Sequence, residues 1–379
     1  MKIGFDAKRA VQNRTGLGNY SRFVIEILTT YANNHEYVLY APKCKKDNLL
    51  GQLSEKVELH YPVSLFWKKF SGIWRVWGVT NDIRRTNLQL YHGLSNELPI
   101  NIHQAKKCKS IVTIHDLIFL RYPAYYRFID RQIYTYKFRS ACLKANRIIA
   151  ISECTKRDIM HFFGIQGEKI DIVYQGCDKQ FKKTATDEMK EFIREKYQLP
   201  KQYLLYVGSI EERKNLLLLA KALKHIEQPI QVIAIGKRTP YIEKVESYLK
   251  DNQLEEQMRF FNNIPFNELP AFYQMATTFV YPSFFEGFGI PLLEALYSGT
   301  PAIGATGSCL EEAGGPHSLY VNPENELELA EAINQTLTNQ DLRQKMITEG
   351  KKYAALFEEP KLAANLLSVY NKTLSDNAN

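Results

Sequence analysis

The chain has 379 residues, 45% of them hydrophobic and 24% charged, a composition typical of folded globular proteins that excludes disordered and low-complexity classes. This length exceeds what one ordinary hydrophobic core supports, so we expect two domains. The formal net charge of +8 favours acidic partners such as diphosphates, nucleic acid or anionic lipid, and charge alone does not choose among them.

The first half of the chain alternates short β-rich runs with helical patterns, which is typical of a doubly wound parallel sheet. Predicted strands cover residues 3–6, 37–40, 57–59, 88–91, 111–114, 148–151 and 170–174. Helical spacing of apolar residues predicts a helix that follows Asn19 and another over residues 125–145, and Ser152 is placed to cap a third. Periodicity stops after Tyr174 and lysines cluster beyond it, so we place the domain boundary after Asp178.

The second half repeats this alternation. Predicted strands cover residues 203–207, 230–235, 259–261, 278–281, 301–303 and 318–321, and predicted helices cover 216–223 and 242–249. A final helix over residues 362–374 follows Pro360, and no later element is available to pair with it. The sequence therefore predicts an α/β protein with two doubly wound parallel-sheet domains.

Two glycines, Gly16 and Gly18, lie between the first predicted strand and the first predicted helix, so we expect them in a loop. The third glycine of the dinucleotide fingerprint is missing, and no acidic residue stands clearly at the end of the next strand, so NAD binding is not predicted. Two interpretations are equally good. The glycines could form a flexible loop near the phosphate of a substrate that donates a group, or near the substrate that accepts it, or they could form a plain tight turn.

Three polar side chains follow strand ends in the first half of the chain, namely His92, His115 and Asp116. Parallel sheets bind ligands outside the carboxyl ends of their strands, which favours a functional role for these residues. His115 and Asp116 could position substrate hydroxyls or polarise a developing charge. A satisfied structural histidine is the alternative.

Arg213 and Lys214 lie in a predicted loop between a strand and a helix, five and six positions after Gly208. Two adjacent cations can neutralise a diphosphate leaving group without a metal ion. A solvated basic loop is the alternative, and the position after a strand end favours function. No Asp-x-Asp sequence, the usual carboxylate clamp for a divalent cation on a diphosphate, occurs in the chain, so no metal site is predicted.

Residues 283–299 hold the most specific pattern, in which Glu286 and Glu294 bracket a glycine-rich turn that leads into an apolar helix. Pro291 stands where the first helical turn is expected. Backbone amides at such a helix start suit a phosphate, and Glu294 could accept hydrogen bonds from a pair of sugar hydroxyls. Two such glutamates are also compatible with acid–base chemistry of the glycosidase type or with structural and solvated roles.

Two aromatic and basic stretches, residues 66–85 and 121–139, could serve a lipid-linked acceptor or could pack internally. Four aromatic residues of the first stretch share a predicted helical face that could lie on an anionic membrane. They are Trp67, Phe70, Trp74 and Trp77. We favour packing into the first domain, because globular helices of this pattern are far commoner. No nucleic-acid-binding module is recognisable, so nucleic acid is not expected as a partner.

The chain begins directly as a strand, without the basic region and apolar run of a signal peptide, and no later segment is apolar enough to span a bilayer. Its cysteines are scattered without a Cys-x-x-Cys pair, which argues against a disulfide framework and a zinc site. They are Cys44, Cys108, Cys142, Cys154, Cys177 and Cys309. We expect reduced thiols and a cytoplasmic protein, with at most a peripheral contact at the inner membrane face.

The chain resembles the retaining, nucleotide-sugar-dependent glycosyltransferases of family 4. Within that family it resembles bacterial mannosyltransferases. The resemblance extends over nearly the whole chain, and the matching segments are residues 16–20, 90–93, 115–117, 151–155, 207–209, 213–215 and 286–295. It implies the GT-B architecture, with two facing Rossmann-like domains and a C-terminal helix that crosses back to the first domain. Residues 1–178 with 361–379 would bind the acceptor, and residues 179–360 would bind the donor.

The resemblance also implies roles for single residues. Arg213 and Lys214 would hold the donor diphosphate. Glu294 would hold the ribose hydroxyls, and Glu286 the hydroxyls of the transferred sugar. His115 would lie near the anomeric centre, and His92 and Asp116 would bind the acceptor. The further donor-binding residues would be Gly16, Gly18, Gly208, Ile264, Gly287, Phe288, Gly289 and Ile290.

The implied reaction is the transfer of a hexose to a hydroxyl of a glycan or lipid-linked glycan, with retention of configuration and without a metal or cofactor. GDP-mannose is the expected donor, with UDP-hexoses close behind. The departing phosphate would accept the acceptor's proton in a front-face attack, so that Glu286 positions the sugar and is not a nucleophile. The alternatives are a sugar-nucleotide epimerase or sugar phosphorylase of similar architecture, or a non-catalytic nucleotide-sugar-binding module.

Overall fold

The computed structural model describes residues 1–43 and 49–376, which leaves residues 44–48, with Cys44, and residues 377–379 outside the described part. The chain forms two compact units. Unit 1 comprises Met1–Gln175 together with Glu358–Asn379, and unit 2 comprises Gly176–Phe357. The domain boundaries expected after residues 178 and 360 lie three positions beyond the ends of Met1–Gln175 and Gly176–Phe357.

Unit 1 is built on a seven-stranded parallel sheet. Its strands are β1 (Lys2–Asp6), β2 (Glu36–Tyr40), β3 (Glu58–His60), β4 (Leu90–Gly93), β5 (Lys109–Ile114), β6 (Arg147–Ala150) and β7 (Ile170–Ile172). Their order in space is β3-β2-β1-β4-β5-β6-β7, so the direction of winding reverses between β1 and β4. In the register, Ile3 of β1 pairs with Tyr37 on one side and with Leu90 on the other. Doubly wound sheets bind ligands in the crevice at such a reversal.

Helices connect the strands of unit 1. They are α1 (Lys8–Gln12), α2 (Gly16–Tyr31), α3 (Leu65–Lys69), α4 (Ser71–Ile73), α5 (Val79–Arg85), α6 (Ile118–Arg121), α7 (Phe128–Lys144) and α8 (Glu153–Phe163). Ser152 caps α8 as predicted, because its hydroxyl accepts a hydrogen bond from the Thr155 N–H at 3.0 Å. All of β5 after Lys109 is buried, and its apolar residues are the β-branched Ile111, Val112 and Ile114.

Unit 2 contains a six-stranded parallel sheet. Its strands are β8 (Tyr203–Val207), β9 (Gln231–Ile235), β10 (Met258–Phe261), β11 (Thr278–Tyr281), β12 (Ala302–Ala305) and β13 (Leu319–Val321). Their order is β10-β9-β8-β11-β12-β13, with the reversal between β8 and β11. Two doubly wound parallel sheets confirm the predicted fold class.

The helices of unit 2 include several to which the sequence analysis gave no range, α9 among them. They are α9 (Asp187–Tyr197), α10 (Leu216–Ala222), α11 (Ile242–Asp251), α12 (Leu269–Met275), α13 (Ile290–Ser298), α14 (Leu310–Gly314), α15 (Glu326–Thr338) and α16 (Gln340–Ala354). Helix α9 was missed because it is largely charged and buries only Ile193. Thr186 caps it, with its hydroxyl 3.2 Å from the Met189 N–H. In the described chain, no helix has both the length and the apolar character needed to cross a membrane.

The last helix, α17 (Glu359–Ser375), belongs to unit 1, as predicted for a helix that returns to the first domain. It packs against α2 and β5. Its buried face includes Leu362, Leu366 and Tyr370. The helix without a later partner in the sequence therefore completes the core of unit 1.

The tryptophan-rich segment is not one continuous helix, so the predicted shared face is wrong. Phe70 ends α3 with non-helical φ and ψ of −106° and 46°, and a wider π-helical turn spans Trp74–Gly78. Trp74 is 1% exposed and its Nε1–H donates to Asp82 at 2.7 Å, whereas Trp77 is 57% exposed. The expected packing into the domain applies to Trp74 but not to Trp77.

Candidate active site

The loops that follow β8 and β11 lie side by side, because these strands are neighbours at the reversal point of the unit 2 sheet. The first loop carries Arg213 and Lys214, and the second carries Glu286. The Phe284 N–H donates to the Arg213 carbonyl at 2.9 Å, and the Ser283 hydroxyl lies 3.2 Å from the same oxygen. Two segments that are 70 positions apart in sequence are therefore joined at the ligand-binding edge of the sheet.

Glu286 is at the centre of a polar cluster. Its Oε1 accepts hydrogen bonds from the Tyr281 hydroxyl at 2.8 Å and the Ser283 hydroxyl at 3.0 Å. The same oxygen lies 2.9 Å from an Arg213 guanidinium nitrogen and 3.6 Å from Lys214 Nζ. Within the described residues, all of these contacts of the carboxylate are made by Oε1, which leaves Oε2 for a ligand.

The two cations keep Glu286 ionised. Burial disfavours the carboxylate, but the charges of Lys214 and Arg213, together with the hydrogen bond from Tyr281, lower the pKa of Glu286 to about 2. Burial also disfavours the Arg213 cation, yet the Glu286 carboxylate, together with Tyr281 and Glu211, raises the pKa of Arg213. Glu211 adds a second ion pair to Arg213 at 2.7 Å. An ionised Glu286 has no proton to give at neutral pH.

Lys214 is held between Tyr281 and Gly208. Its Nζ donates a hydrogen bond to the Tyr281 hydroxyl at 2.7 Å and lies 5.3 Å from the centre of that ring. A Cβ added at Gly208 would lie 3.2 Å from the Lys214 Cδ and 3.3 Å from its Nζ. The predicted donor-binding glycine therefore leaves the space that the lysine side chain occupies.

Helix α13 begins next to this cluster, with Pro291 in its first turn as predicted. Gly289, the residue before the helix, has φ of 114°, a conformation that side-chain-bearing residues rarely adopt. Among the hydrogen bonds of the described residues, the N–H groups of Gly289 and Ile290 have no acceptor. Amides at a helix start are suited to bind an anion.

Glu294 lies in the second turn of α13 and is half-buried. Its Oε2 accepts a hydrogen bond from the Tyr273 hydroxyl at 2.9 Å. Burial, with a smaller contribution from Asp178, raises the pKa of Glu294 to about 8, although Tyr273 and Lys214 oppose the increase. The side chain is therefore mostly protonated at pH 7 when no ligand is bound. Hydroxyl groups that donate to it would stabilise the ionised form.

Donor binding is expected to tighten as pH rises, because ribose hydroxyls bind best to an ionised Glu294. With a ligand-free pKa of about 8, affinity for a nucleoside diphosphate should improve about tenfold per pH unit between pH 6 and pH 8. Calorimetric titration with GDP and UDP measures this. The control is the Glu294→Gln variant. Its side chain cannot ionise, whereas any pH dependence caused by titration of the nucleotide's phosphates is the same as in the parent. A parent profile no steeper than that of the variant would contradict this role.

The remaining predicted donor-binding residues contribute in different ways. Phe288 is buried and its ring packs on Phe357 with centroids 5.6 Å apart, so only its backbone can serve a ligand. Gly287 is half-buried in the turn before α13, and Ile264 is half-buried in the loop after β10. Among residues 1–43 and 49–376, no group of three or more His, Cys, Asp or Glu side chains is arranged to hold a metal ion.

His115 lies at the carboxyl end of β5, as predicted, and is almost fully buried. Its Nε2 is 2.9 Å from the Leu94 carbonyl and its Nδ1 is 3.2 Å from the Gln175 amide nitrogen. Because a carbonyl only accepts, Nε2 carries the proton. Burial lowers the pKa of His115 to about 4, so the ring is neutral at pH 7. Asp116 is half-buried, and its Oδ1 accepts the Ile118 N–H at the start of α6.

The structure contradicts the acceptor-binding prediction for His92. The side chain is fully buried, with Nδ1 2.8 Å from the Tyr370 hydroxyl and Nε2 2.8 Å from the Thr113 hydroxyl. Burial lowers the pKa of His92 to about 3, which keeps it neutral. Both ring nitrogens are occupied by protein groups, so His92 connects α17 to the sheet and has no atom to offer a substrate.

The prediction that Gly16 and Gly18 lie in a loop is wrong, because both are in the first turn of α2. A Cβ at Gly18 would lie 1.9 Å from the Asn13 carbonyl oxygen, so only glycine fits there. Gly16 has open space around it. Gly18 is therefore explained by packing of the turn before α2, and the donor-binding role of both glycines stays a prediction.

The sequence analysis missed a charged network at the reversal point of the unit 1 sheet. Arg75 binds Asp6, at the end of β1, with Nε 2.8 Å from Oδ2, and binds Glu97 at 2.6 Å. Lys137 of α7 lies 3.4 Å from Glu97. The signal that could have found it is the position of Asp6 at a strand end. Tyr281 and Tyr273, which contact the two predicted glutamates, were also missed, because strand and helix tyrosines are usually core residues.

Two family models match the chain. The model described as Glycosyltransferase Family 4 matches residues 21–181, and the model described as Glycosyl transferases group 1 matches residues 189–353. The first range lies in unit 1 except for its last residues, and the second lies in unit 2. Two doubly wound units with this site at the reversal of the second sheet are those of a GT-B glycosyltransferase. The chain belongs to the family 4 glycosyltransferases.

Individual relatives are similar over most of the chain or part of it. O-antigen chain mannosyltransferase B of Escherichia coli is 29% identical over 385 aligned positions, which cover 98% of this chain and 99% of the relative. O-antigen chain mannosyltransferase RfbU of Salmonella typhimurium is 29% identical over 59% of each chain. The solved structure of Anabaena HepE in complex with UDP and glucose is 16% identical, covers 98% of this chain and 100% of its own, and has a TM-score of 0.74.

Proposed function

We propose that the protein is a retaining hexosyltransferase that moves mannose from a nucleotide diphosphate sugar to a hydroxyl of a glycan or lipid-linked glycan. One observation carries this proposal: Arg213 and Lys214 surround one carboxylate oxygen of Glu286 at the reversal point of the unit 2 sheet. Two cations suit a diphosphate, and the second Glu286 oxygen suits a hydroxyl of the transferred sugar.

The proposed division of labour assigns the donor to unit 2 and the acceptor to unit 1. In unit 2, the amides of Gly289 and Ile290 would face the phosphate or the sugar, and Glu294 would bind the ribose. GDP-mannose is the proposed donor because two relatives are described as mannosyltransferases. UDP-hexoses come second, because the HepE structure contains UDP and glucose.

In the proposed chemistry, negative charge grows on the leaving diphosphate in the transition state. Arg213 and Lys214 would stabilise that charge, so a divalent metal ion is not required. The departing phosphate would accept the proton of the attacking hydroxyl on the same face of the sugar, which retains the configuration. Glu286, whose pKa is about 2, would position the sugar as a hydrogen-bond acceptor. His115 is a neutral ring, and Gln175 would have to release its Nδ1 before that nitrogen could accept a hydrogen bond from a substrate hydroxyl.

In the proposed acceptor site, polar groups at the carboxyl edge of the unit 1 sheet would hold the acceptor hydroxyl. Asp116 remains a candidate, and the Asp6, Arg75 and Glu97 network replaces His92 as the second group at this edge. Doubly wound sheets bind ligands at the reversal of strand order, where this network lies. The acceptor of the proposed reaction belongs to the biosynthesis of a surface polysaccharide, by similarity to the O-antigen enzymes.

We also propose that the protein acts in the cytoplasm, in peripheral contact with the inner membrane face. Unit 1 exposes apolar side chains on two basic stretches, residues 63–77 and helix α7. The exposed residues include Leu65, Phe66, Ile73, Trp77, Phe128, Ile129, Ile133 and Tyr136. Glu97 binds both Arg75 and Lys137, which places the two stretches next to each other. Apolar groups flanked by lysine and arginine suit an anionic lipid surface.

Vesicle flotation should therefore recover the protein with phosphatidylglycerol-containing vesicles but not with phosphatidylcholine vesicles. The Phe128→Ser/Ile129→Ser variant should lose at least half of this binding, because both side chains are exposed at the start of α7. The control is Leu356→Ser, an apolar residue of unit 2 that is also exposed, at 54% against 65% for Phe128 and 72% for Ile129. Equal recovery of the two variants would remove α7 from the proposed contact.

A thermal-shift screen of nucleotides and nucleotide sugars tests the donor assignment. A ligand that binds only the folded state raises its stability, by about 2.7 kcal/mol at a hundred times its Kd. GDP and GDP-mannose should give the largest increases in Tm, in buffer with EDTA. A larger shift with UDP and UDP-glucose would reassign the base, and no shift with any nucleoside diphosphate would overturn the proposed function.

A further inference from the structure

We propose that the Tyr281 hydroxyl is a positioning group, which keeps the Lys214 ammonium apart from the Glu286 carboxylate and thereby directs it to the donor diphosphate. This inference deepens the proposed function and rests on it. It adds a residue that the sequence pattern did not identify, on the strand before the glutamate pattern. Tyr281 touches the lysine and the glutamate rather than the reacting atoms, so its role is indirect.

The hydrogen bonds around Tyr281 have a fixed direction. Lys214 has only N–H groups to give, so its ammonium donates to the Tyr281 oxygen at 2.7 Å. An ionised Glu286 only accepts, so the Tyr281 O–H donates to its Oε1 at 2.8 Å. The hydroxyl therefore stands between a cation and an anion that are 3.6 Å apart. A direct charge-assisted hydrogen bond would be shorter, at about 2.7–2.9 Å.

The position of the hydroxyl is set by packing. Tyr281 is 1% exposed and is the last residue of β11. Its ring stacks on Phe279, with centroids 5.9 Å apart and planes at 20°, and lies 6.1 Å from the Tyr206 ring. A Cβ added at Gly208, just after β8, would touch the Tyr281 ring at 3.4 Å, so the ring is also packed closely on the side that faces β8. A rigid aromatic side chain can fix a flexible lysine that otherwise has many rotamers.

Removal of the hydroxyl should have a specific consequence. In Tyr281→Phe, no group separates Lys214 from Glu286, so the ammonium can move the remaining distance and form a direct ion pair. It is then drawn away from the diphosphate. The loss should be greater in the transition state than in the bound donor, because the leaving group gains charge as the bond to the sugar breaks.

The test compares steady-state kinetics of four forms of the full-length protein, namely the parent, Tyr281→Phe, Lys214→Ala and the double variant. Tyr281→Phe should lower kcat about 10–100-fold, while KM for the donor changes less than about threefold. In the Lys214→Ala background, Tyr281→Phe should lower kcat by less than a further factor of about three, because a group that acts through Lys214 has nothing left to position. Equal losses in both backgrounds, or a parental kcat for Tyr281→Phe, would overturn the inference.

Tyr203→Phe is the matched control. Tyr203 is also a buried tyrosine of the same sheet, and its hydroxyl donates to the Phe272 carbonyl at 2.6 Å, away from both charged groups. It should lower Tm about as much as Tyr281→Phe does, with kcat within about twofold of the parent. A Tyr203→Phe variant with the same kinetic defect as Tyr281→Phe would show that any lost buried hydroxyl has this effect.

Calorimetric titration of the parent with GDP and UDP separates the two levels of the argument. A parent that binds neither nucleotide contradicts the proposed function itself. A parent that binds and turns over, together with a Tyr281→Phe variant that behaves like it, contradicts only the role of Tyr281.

Discussion

Replacement of Lys214 or Arg213 by alanine is expected to lower kcat for sugar transfer about 10²–10³-fold, while the protein remains folded. Both cations are held at the edge of the sheet by Glu286, at 3.6 Å and 2.9 Å. The charge that they stabilise is greatest when the diphosphate departs, so kcat should fall more than donor affinity. Each single variant leaves the other cation beside the buried Glu286 carboxylate. Arg213→Ala also removes the partner of Glu211, but that side chain is 38% exposed to solvent, so the fold should survive.

Lys244→Ala is the matched control for this experiment. Lys244 is an exposed lysine that binds Glu212, next to Arg213, at 3.1 Å. Exposed ion pairs contribute about 0–1 kcal/mol, so its loss should change neither kcat nor Tm appreciably. If Lys214→Ala and Arg213→Ala both transferred sugar at the parent rate, the leaving-group role of the cations would be wrong. Thermal melts show whether an inactive variant is still folded.

Substitution of Glu286 is expected to separate a positioning role from acid–base or nucleophilic chemistry. The isosteric Glu286→Gln variant should keep near-parent activity, within about tenfold, because its amide oxygen can take the place of Oε1 and accept from Tyr281 and Ser283. Its NH2 group takes the place of Oε2 and can donate a hydrogen bond to an oxygen of the sugar. Glu286→Ala removes that acceptor and should lower kcat about 10²-fold. A Gln variant as inactive as the Ala variant would instead assign the chemistry to the carboxylate charge.

The pH dependence of stability gives an independent measure of the Glu286 contacts. Its pKa is about 4.5 in the unfolded chain and about 2 in the folded protein, so its stabilising contribution is fully present above pH 4.5. That contribution is lost as the pH falls from 4.5 towards 2, where the folded form also takes up the proton. Denaturant unfolding at pH 3 and pH 6 should therefore show a smaller difference in the free energy of unfolding for Glu286→Gln than for the parent.

Much of the fold could be predicted from the sequence, because alternating β and helical patterns leave few arrangements other than doubly wound sheets. The placement of the site followed from the same logic. Arg213, Lys214 and Glu286 follow the carboxyl ends of strands, and ligands bind at that edge. The pattern did not reveal that β8 and β11 are neighbours, since strand order depends on packing of the whole unit. The ion pair of Glu286 with Arg213, and the Tyr281 hydroxyl that links Glu286 to Lys214, became visible only in the structure.

Other features depended on contacts that no local pattern contains. His92 was assigned to a ligand because it ends a strand, but Tyr370, 278 positions later, occupies one of its nitrogens. Gly16 and Gly18 were placed in a loop because the helical spacing of apolar residues begins only after Asn19, yet the helix start at Gly18 needs a residue without a side chain. The break at Phe70 and the π-helical turn at Trp74 left no periodic signal that distinguishes them from one helix.

The most direct test of the proposed function is a transfer assay with purified protein, GDP-mannose and mannose-terminated oligosaccharides, both free and attached to a polyprenyl diphosphate, in the presence of EDTA. The account predicts release of GDP together with a mannosylated product whose new linkage has the α configuration of the donor, as measured by NMR. A strict requirement for magnesium or manganese, or a product with inverted configuration, would contradict the proposed mechanism. Absence of transfer from GDP-mannose, with transfer from a UDP-hexose, would contradict the proposed donor.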